Sequence, residues 1–132
     1  MKDALPFWVK EMVARYGRII LVTGSRKWTD KSKIDQALTV YGPAGVLHGG
    51  AAGADWIAAG LATRRGWESY EEPPDYRKYG ANIAPKIRNQ KMVDALDPTR
   101  DLVLAFPLPD SRGTRDCMER ARLKGVTVHV FE

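Results

Sequence analysis

The stretch Arg18-Ile19-Ile20-Leu21-Val22-Thr23 is apolar through four consecutive positions and stops at Gly24-Ser25. A run that is apolar at every position, rather than at alternate ones, is the pattern of a strand buried on both faces of a parallel sheet. Leu102 to Phe106 repeats it, and shorter runs at Val46-Leu47, Trp67 to Tyr70 and Val126 to Phe131 read as further strands. Helical spacing fills the intervals. After Asp30, a cap, Ile34, Ala37, Leu38 and Tyr41 recur at i, i+3, i+4, i+7 until Gly42-Pro43 stops them. Trp56, Ile57, Ala58, Leu61 and Ala62 share a face up to Arg64, Arg65 and Gly66. A third helix runs from Pro85 to Leu96 behind a loop from Glu71 to Gly80. A fourth, capped by Thr114, carries Cys117, Met118 and Ala121 to Gly125. Strands alternating with helices and lacking tight hairpin signals predict an α/β, Rossmann-like three-layer fold with a mainly parallel sheet.

In such sheets ligands bind beyond the C-terminal strand ends. Three ends carry glycine beside a small hydroxyl or another glycine: Gly24-Ser25, Gly49-Gly50 and Gly113-Thr114. The richest is His48-Gly49-Gly50-Ala51-Ala52-Gly53-Ala54-Asp55, a strand, a glycine turn and a helix start, whose free N–H groups favour negative charge. A single turn of this kind also serves backbone geometry alone; three on one edge make a site. No G-x-G-x-x-G follows the first strand and no G-x-x-x-x-G-K is present, which argues against NAD and against ATP hydrolysis.

The 132 residues suit one domain, and 44% apolar residues suffice for one core. Before it, residues 1–17 form an amphipathic helix: Pro6 suits its first position, Val9, Met12, Val13 and Tyr16 make its stripe, and Gly17 ends it. That stripe packs on the sheet or on a partner. A net charge of +5 suits an anionic partner as well as an ordinary solubilising surface. One cysteine and two histidines give neither a disulfide framework nor a metal centre. Lys2, Asp3, Lys10 and Glu11 interrupt any signal-peptide core, and no run is long enough to span a bilayer. The expectation is a cytoplasmic protein with no metal, no cofactor and no membrane partner.

Thr23-Gly24-Ser25-Arg26, the His48–Asp55 turn, Pro85-Lys86-Ile87-Arg88-Asn89-Gln90-Lys91-Met92 and Gly113-Thr114, in that order, resemble the YspA-like (cpYpsA-related) branch of the SLOG superfamily, distant relatives of Lonely Guy phosphoribohydrolases. The resemblance spans residues 18–132 and implies a modified Rossmann domain, a nucleotide or nucleotide-derived ligand, a sensing or sequestering role, a phage or bacterial source and a homodimer. The enzymatic relatives hydrolyse the N-glycosidic bond of nucleoside 5′-monophosphates. They use an arginine in an Arg-x-x-x-Met helix, matched by Arg88 and Met92, and a glutamate whose position here holds Cys117. A carboxylate would stabilise charge building on the ribose as the base departs, and a thiol does so poorly.

The ligand-binding candidates are thus Gly24, Ser25, Arg26, Gly49, Gly50, Asp55, Arg88, Asn89, Gly113 and Thr114, with Arg88 also the catalytic candidate if hydrolysis survives. Each also has a structural reading. Asp55 is favoured in a first helical turn by the dipole alone, Asn89 suits a loop cap, and His48 suits a satisfied structural histidine. Arg26, Arg112 and Arg115 flank the site, Tyr76 and Tyr79 either stack on a base or pack their loop, and Cys117 reads as inert. Two other classes stay open. Arg64, Arg65, Arg77, Lys78, Lys86 and Lys91 suit a nucleic-acid module, although no reading motif is present; the amphipathic N-terminal helix suits an interaction protein.

Overall fold

A computed structural model describes residues 5–132. Among these residues five helices alternate with five strands: α1 (Phe7–Tyr16), β1 (Ile19–Gly24), α2 (Lys31–Tyr41), β2 (Gly45–His48), α3 (Ala54–Arg64), β3 (Ser69–Glu71), α4 (Tyr76–Asp94), β4 (Leu102–Phe106), α5 (Arg112–Lys124) and β5 (Thr127–Val130). All pairings are parallel, in the order β3-β2-β1-β4-β5. The order reverses between β1 and β4, whose register sets Gly24 opposite Phe106.

The apolar runs divide by alternation, because successive strand residues point to opposite faces. Ile20, Val22, Val46, Leu104 and Phe106 face one way and pack with Ile34, Leu38, Ala58 and Leu61 of α2 and α3. Ile19, Leu21, Leu47 and Val103 face the other way, against Val9, Met12, Met92, Val93, Cys117 and Ala121 of α1, α4 and α5. Both faces are therefore covered, as the apolar runs require.

Four local expectations need correction. Pro6 lies just outside α1 as its N-cap residue, and the helix starts at Phe7. The α1 stripe is spent within the chain: Val9 and Met12 are buried, and a Cβ on Gly45 would meet Met12. Of the two alternatives that the sequence left open for this stripe, packing on the sheet is the one found, with Val13 and Tyr16 partly buried beside the same core. The expected loop from Glu71 to Gly80 is partly helical, because Asp75 accepts a hydrogen bond from Lys78 N–H at 3.1 Å and caps α4. A break at Gly80 (φ 79°, ψ 171°) then divides α4, so Pro85 lies inside the helix rather than at its start. Thr114 does not cap α5, which begins at Arg112 behind Ser111.

At the edge opposite the strand C-termini, Asp101 holds the starts of β1 and β4 together. Its buried carboxylate accepts from Ile19 N–H and Asp97 N–H, both at 2.8 Å, and from two Arg100 nitrogens at 2.9 and 2.7 Å. Asp101→Ala leaves those donors unpaired and is expected to cost about 3–5 kcal/mol. Urea denaturation checks this, and an unchanged midpoint would contradict it.

Candidate functional site

At the reversal point a cavity of about 380 Å³ opens beyond the C-terminal ends of β1, β2 and β4. Its wall includes Thr23, Gly24, Ser25, Arg26 and Lys27 after β1; Gly49, Ala51 and Asp55 after β2; Pro85, Arg88, Asn89 and Met92 from α4; and Asp110 to Thr114 before and within α5. Nine of the ten residues singled out in the sequence meet there. Gly50 is the exception, because it turns away towards the carboxylate of Glu71, where its φ of +74° suits glycine. Lys27, Asp110 and Ser111 join the wall without a motif to mark them; position after a strand end was their one available signal.

The close fit of the strand ends explains several glycines. A Cβ on Gly24 would lie 2.5 Å from Ala54 Cβ and 2.8 Å from Phe106 O, so the start of α3 can sit against β1 only because glycine is there. Gly53 has φ +80°, and its Cα passes against the backbone carbonyls of Ser25 and Arg26. Ser25 O accepts from Ala54 N–H at 3.2 Å, tying the β1 loop to the helix start.

Three N–H groups of the His48–Asp55 turn are spent within it, although its composition suggested open donors. Asp55 Oδ2 accepts from Gly49 N–H at 3.0 Å and Ala51 N–H at 3.3 Å, and His48 Nδ1 accepts from Gly50 N–H at 3.0 Å. The turn is thus closed by its own side chains, and His48 is a buried structural histidine. Burial lowers its pKa, so it is held neutral; the nearby Glu71 opposes that shift and Arg88 adds to it.

Further donors lie across the pocket. Ser111 makes no side-chain cap bond to α5, because its Oγ accepts from Leu108 N–H at 2.9 Å. The first-turn N–H groups at Gly113 and Thr114, both in the pocket wall, have no acceptor among the described residues. Arg88 reaches over the pocket, donating Nη1 to Gly49 O at 2.7 Å and Nε to Asn89 Oδ1 at 3.0 Å. A guanidinium has five N–H donors, so Arg88 is fixed in place with donors to spare. Asn89 is buried and spends its amide on Gly113 O (3.2 Å) and Asp116 Oδ2 (3.0 Å), joining α4 to the start of α5. Its role here is to position that helix.

With Arg26, Lys27, Arg88 and Arg112 against Asp55 and Asp110, cations outnumber anions in the wall. Arg115 instead donates to Leu108 O at 2.9 Å and braces its own loop. Tyr76 and Tyr79 are exposed and stand outside the wall. Cys117 is fully buried in the core, and burial pushes its thiol up to about 12, as befits an inert residue. Asp116 pairs with Arg120 at 2.9 Å outside the pocket.

Burial raises Asp55 to about 6, against the opposing pull of the Ala51 and Gly49 N–H bonds and of Arg88. The folded state therefore binds this proton more tightly than the unfolded chain, whose aspartate titrates near its ordinary value. Stability should rise as pH falls from about 6 towards 4, by up to about 3 kcal/mol, and the penalty is fully present above that window. Asp55→Asn should flatten this part of the profile. Parallel wild-type and variant curves in thermal melts between pH 4 and 7 would contradict the assignment.

Among the described residues no helix is long and apolar enough to cross a membrane. Residues 18–79 match the model of the YspA, cpYpsA-related SLOG family. The chain is 38% identical over 124 residues to the Gene 61 protein of Mycobacterium phage D29, with 86% of this chain and 96% of that protein covered. Among solved structures, DNA processing protein A from Streptococcus pneumoniae matches with a TM-score of 0.57 over 96% of this chain and 68% of that one. At 13% identity this likeness concerns the fold alone.

Proposed function

Because this chain belongs to the YspA, cpYpsA-related SLOG family, we propose that its sheet-edge pocket binds a phosphorylated nucleoside or a related nucleotide-derived molecule. The protein would act as a sensor or sequestering protein in the cytoplasm of a bacterium or phage-infected cell. One observation carries the reading: the uncapped start of α5 at Gly113 and Thr114 opens into a cavity rimmed by Arg26, Lys27, Arg88 and Arg112. Backbone donors and a helix dipole bind phosphate without any acid, and a pre-positioned guanidinium adds charge-assisted hydrogen bonds.

Hydrolysis makes a further demand that the pocket meets poorly. Position 117 offers a buried thiol where the hydrolase relatives have glutamate, and Asp55 Oδ2 is committed to the Gly49–Ala51 turn. Loss of a group that stabilises developing charge costs about two to three orders of magnitude in rate. Chromatography of nucleoside monophosphates incubated with the protein should therefore show slow base release or none. Release at an ordinary enzymatic rate would overturn this reading in favour of a phosphoribohydrolase.

A second reading, single-stranded nucleic acid, is favoured by exposed Trp56, Tyr76 and Tyr79 together with Arg77 and Lys78. The relative of similar fold is, by its name, a DNA processing protein. Oligonucleotide affinity falling steeply with added salt would support that class, since a compact nucleotide pocket releases far fewer counterions.

A further inference from the structure

The two edges of the sheet are built differently. β3 is three residues long, bears Glu71, is flanked by Glu68 and Glu72 and runs into Pro73-Pro74, all of which discourage the addition of a further strand. β5 has no such protection. From Val126 to Phe131 the chain reads Val-Thr-Val-His-Val-Phe, without a charge or a proline. Its inner side is taken: Phe131 N–H donates to Ala105 O at 2.9 Å, and the parallel register makes Thr127, His129 and Phe131 the residues whose backbone faces β4. Val128 and Val130 therefore turn their N–H and C=O groups outwards. Outside the ladder, neither backbone has a partner among the described residues, and Val130 is 39% exposed.

We propose that this edge pairs antiparallel with β5 of a second copy of the chain, joining two five-stranded sheets into one. The strand is complementary to itself. With His129 opposite His129 of the second copy, each Val128 lies opposite a Val130, and the two exchange both N–H···O=C bonds. The two-fold axis then passes beside His129, perpendicular to the sheet. On one face of the sheet Tyr41 stacks on His129, with ring centroids 4.5 Å apart. Its neighbour Val40 is 70% exposed and shares a flank of α2 with Lys33, seven residues before it, which reaches the Glu132 carbonyl beyond β5. Across the axis that flank meets its own counterpart, and Val40 is covered. On the other face the register sets Glu132 opposite Val126 of the second copy, beside the last turn of α5 and its exposed Arg122. A strand from an unrelated protein would satisfy the two valine backbones but would bring nothing matched to Val40 and Arg122. Because the paired strands run antiparallel, the two pockets open at opposite ends of the joined sheet, each built by its own chain.

The register makes the two His129 residues a non-hydrogen-bonded pair, in which Cα atoms stand about 4.5 Å apart, within reach of a disulfide. His129→Cys in the full chain should therefore form a covalent dimer on mild oxidation, read on a non-reducing gel, while Cys117 stays buried. Leu123→Cys, 82% exposed on α5, controls for chance collision. It should cross-link at least about tenfold more slowly. Sedimentation of the wild-type chain should show a dimer. Val130→Pro removes an outward donor but none that β4 uses, and Val40→Glu puts a charge beside the axis without touching the strand. Each change acts twice by symmetry and should weaken the dimer by about tenfold or more, with thermal melts reporting that the variants fold. Equal cross-linking of the two cysteine variants, or a wild-type chain that stays monomeric at high concentration, would overturn the proposal and leave the edge to a strand of another protein. A dimer that neither Val130→Pro nor Val40→Glu weakens would also overturn it, and would put the contact elsewhere on the molecule.

Discussion

Replacing Arg88 by alanine is expected to weaken binding of a nucleoside 5′-monophosphate by about ten- to a hundredfold, the worth of a charge-assisted hydrogen bond. Binding of the dephosphorylated nucleoside should change much less. The reason lies in how the guanidinium is held. Gly49 O and Asn89 Oδ1 each take one donor, so the side chain is ordered before a ligand arrives and pays little entropy on binding. Gly49→Ala supplies an independent approach to the same residue, because the new Cβ would lie 2.5 Å from Arg88 Nη1 and push the guanidinium aside. Unlike a clash with backbone, this one is relieved by a flexible side chain. The variant should fold normally and still lose affinity, as measured by calorimetry beside a thermal melt. Wild-type affinity in both variants would remove Arg88 from the site.

Gly24→Val is expected to cost about 4 kcal/mol or more and to leave little folded protein. Here the clash is with Ala54 Cβ and with the carbonyl oxygen of Phe106, at the point where β1, β4 and α3 meet. None of these can move without breaking the sheet register or withdrawing the start of α3. Gly60→Ala, on the exposed side of α3 with nothing within 4 Å of the new methyl, provides the contrast. It should stabilise by roughly 0.5–1 kcal/mol, because alanine restricts the unfolded chain and favours helix. Denaturant midpoints of the two variants on opposite sides of wild type are the expected pattern; near-equal midpoints would contradict the packing described for Gly24.

The same two kinds of residue show how far the sequence could be read. Buried strands such as Ile19–Val22 and Leu102–Phe106 announce themselves because every position is apolar, and their parallel order puts every strand C-terminus on one edge. The convergence of Gly24, Gly49 and Gly113 follows from those two facts. What the sequence could not reveal is how each backbone donor is spent. Whether the N–H groups of a glycine turn are free depends on side chains that fold back on them. Asp55, six residues after Gly49, and His48, at the strand end, do so here. The uncapped start of α5 was hidden for a related reason. Ser111 has the chemistry of a cap, but its hydroxyl turns back to Leu108. The early start of α4 at Tyr76 was obscured by Pro73, Pro74 and a run of charge, although Asp75 carried the capping signal. Composition said loop, and a single hydrogen bond said helix.

The central claim is that phosphate is recognised at the start of α5, with Arg88 beside it. Calorimetric comparison of one nucleoside 5′-monophosphate with its parent nucleoside, at fixed pH and ionic strength, tests it most directly. Open first-turn amides and a fixed guanidinium together should make the monophosphate bind at least about a hundredfold more tightly. Equal affinities for the two compounds would contradict the claim.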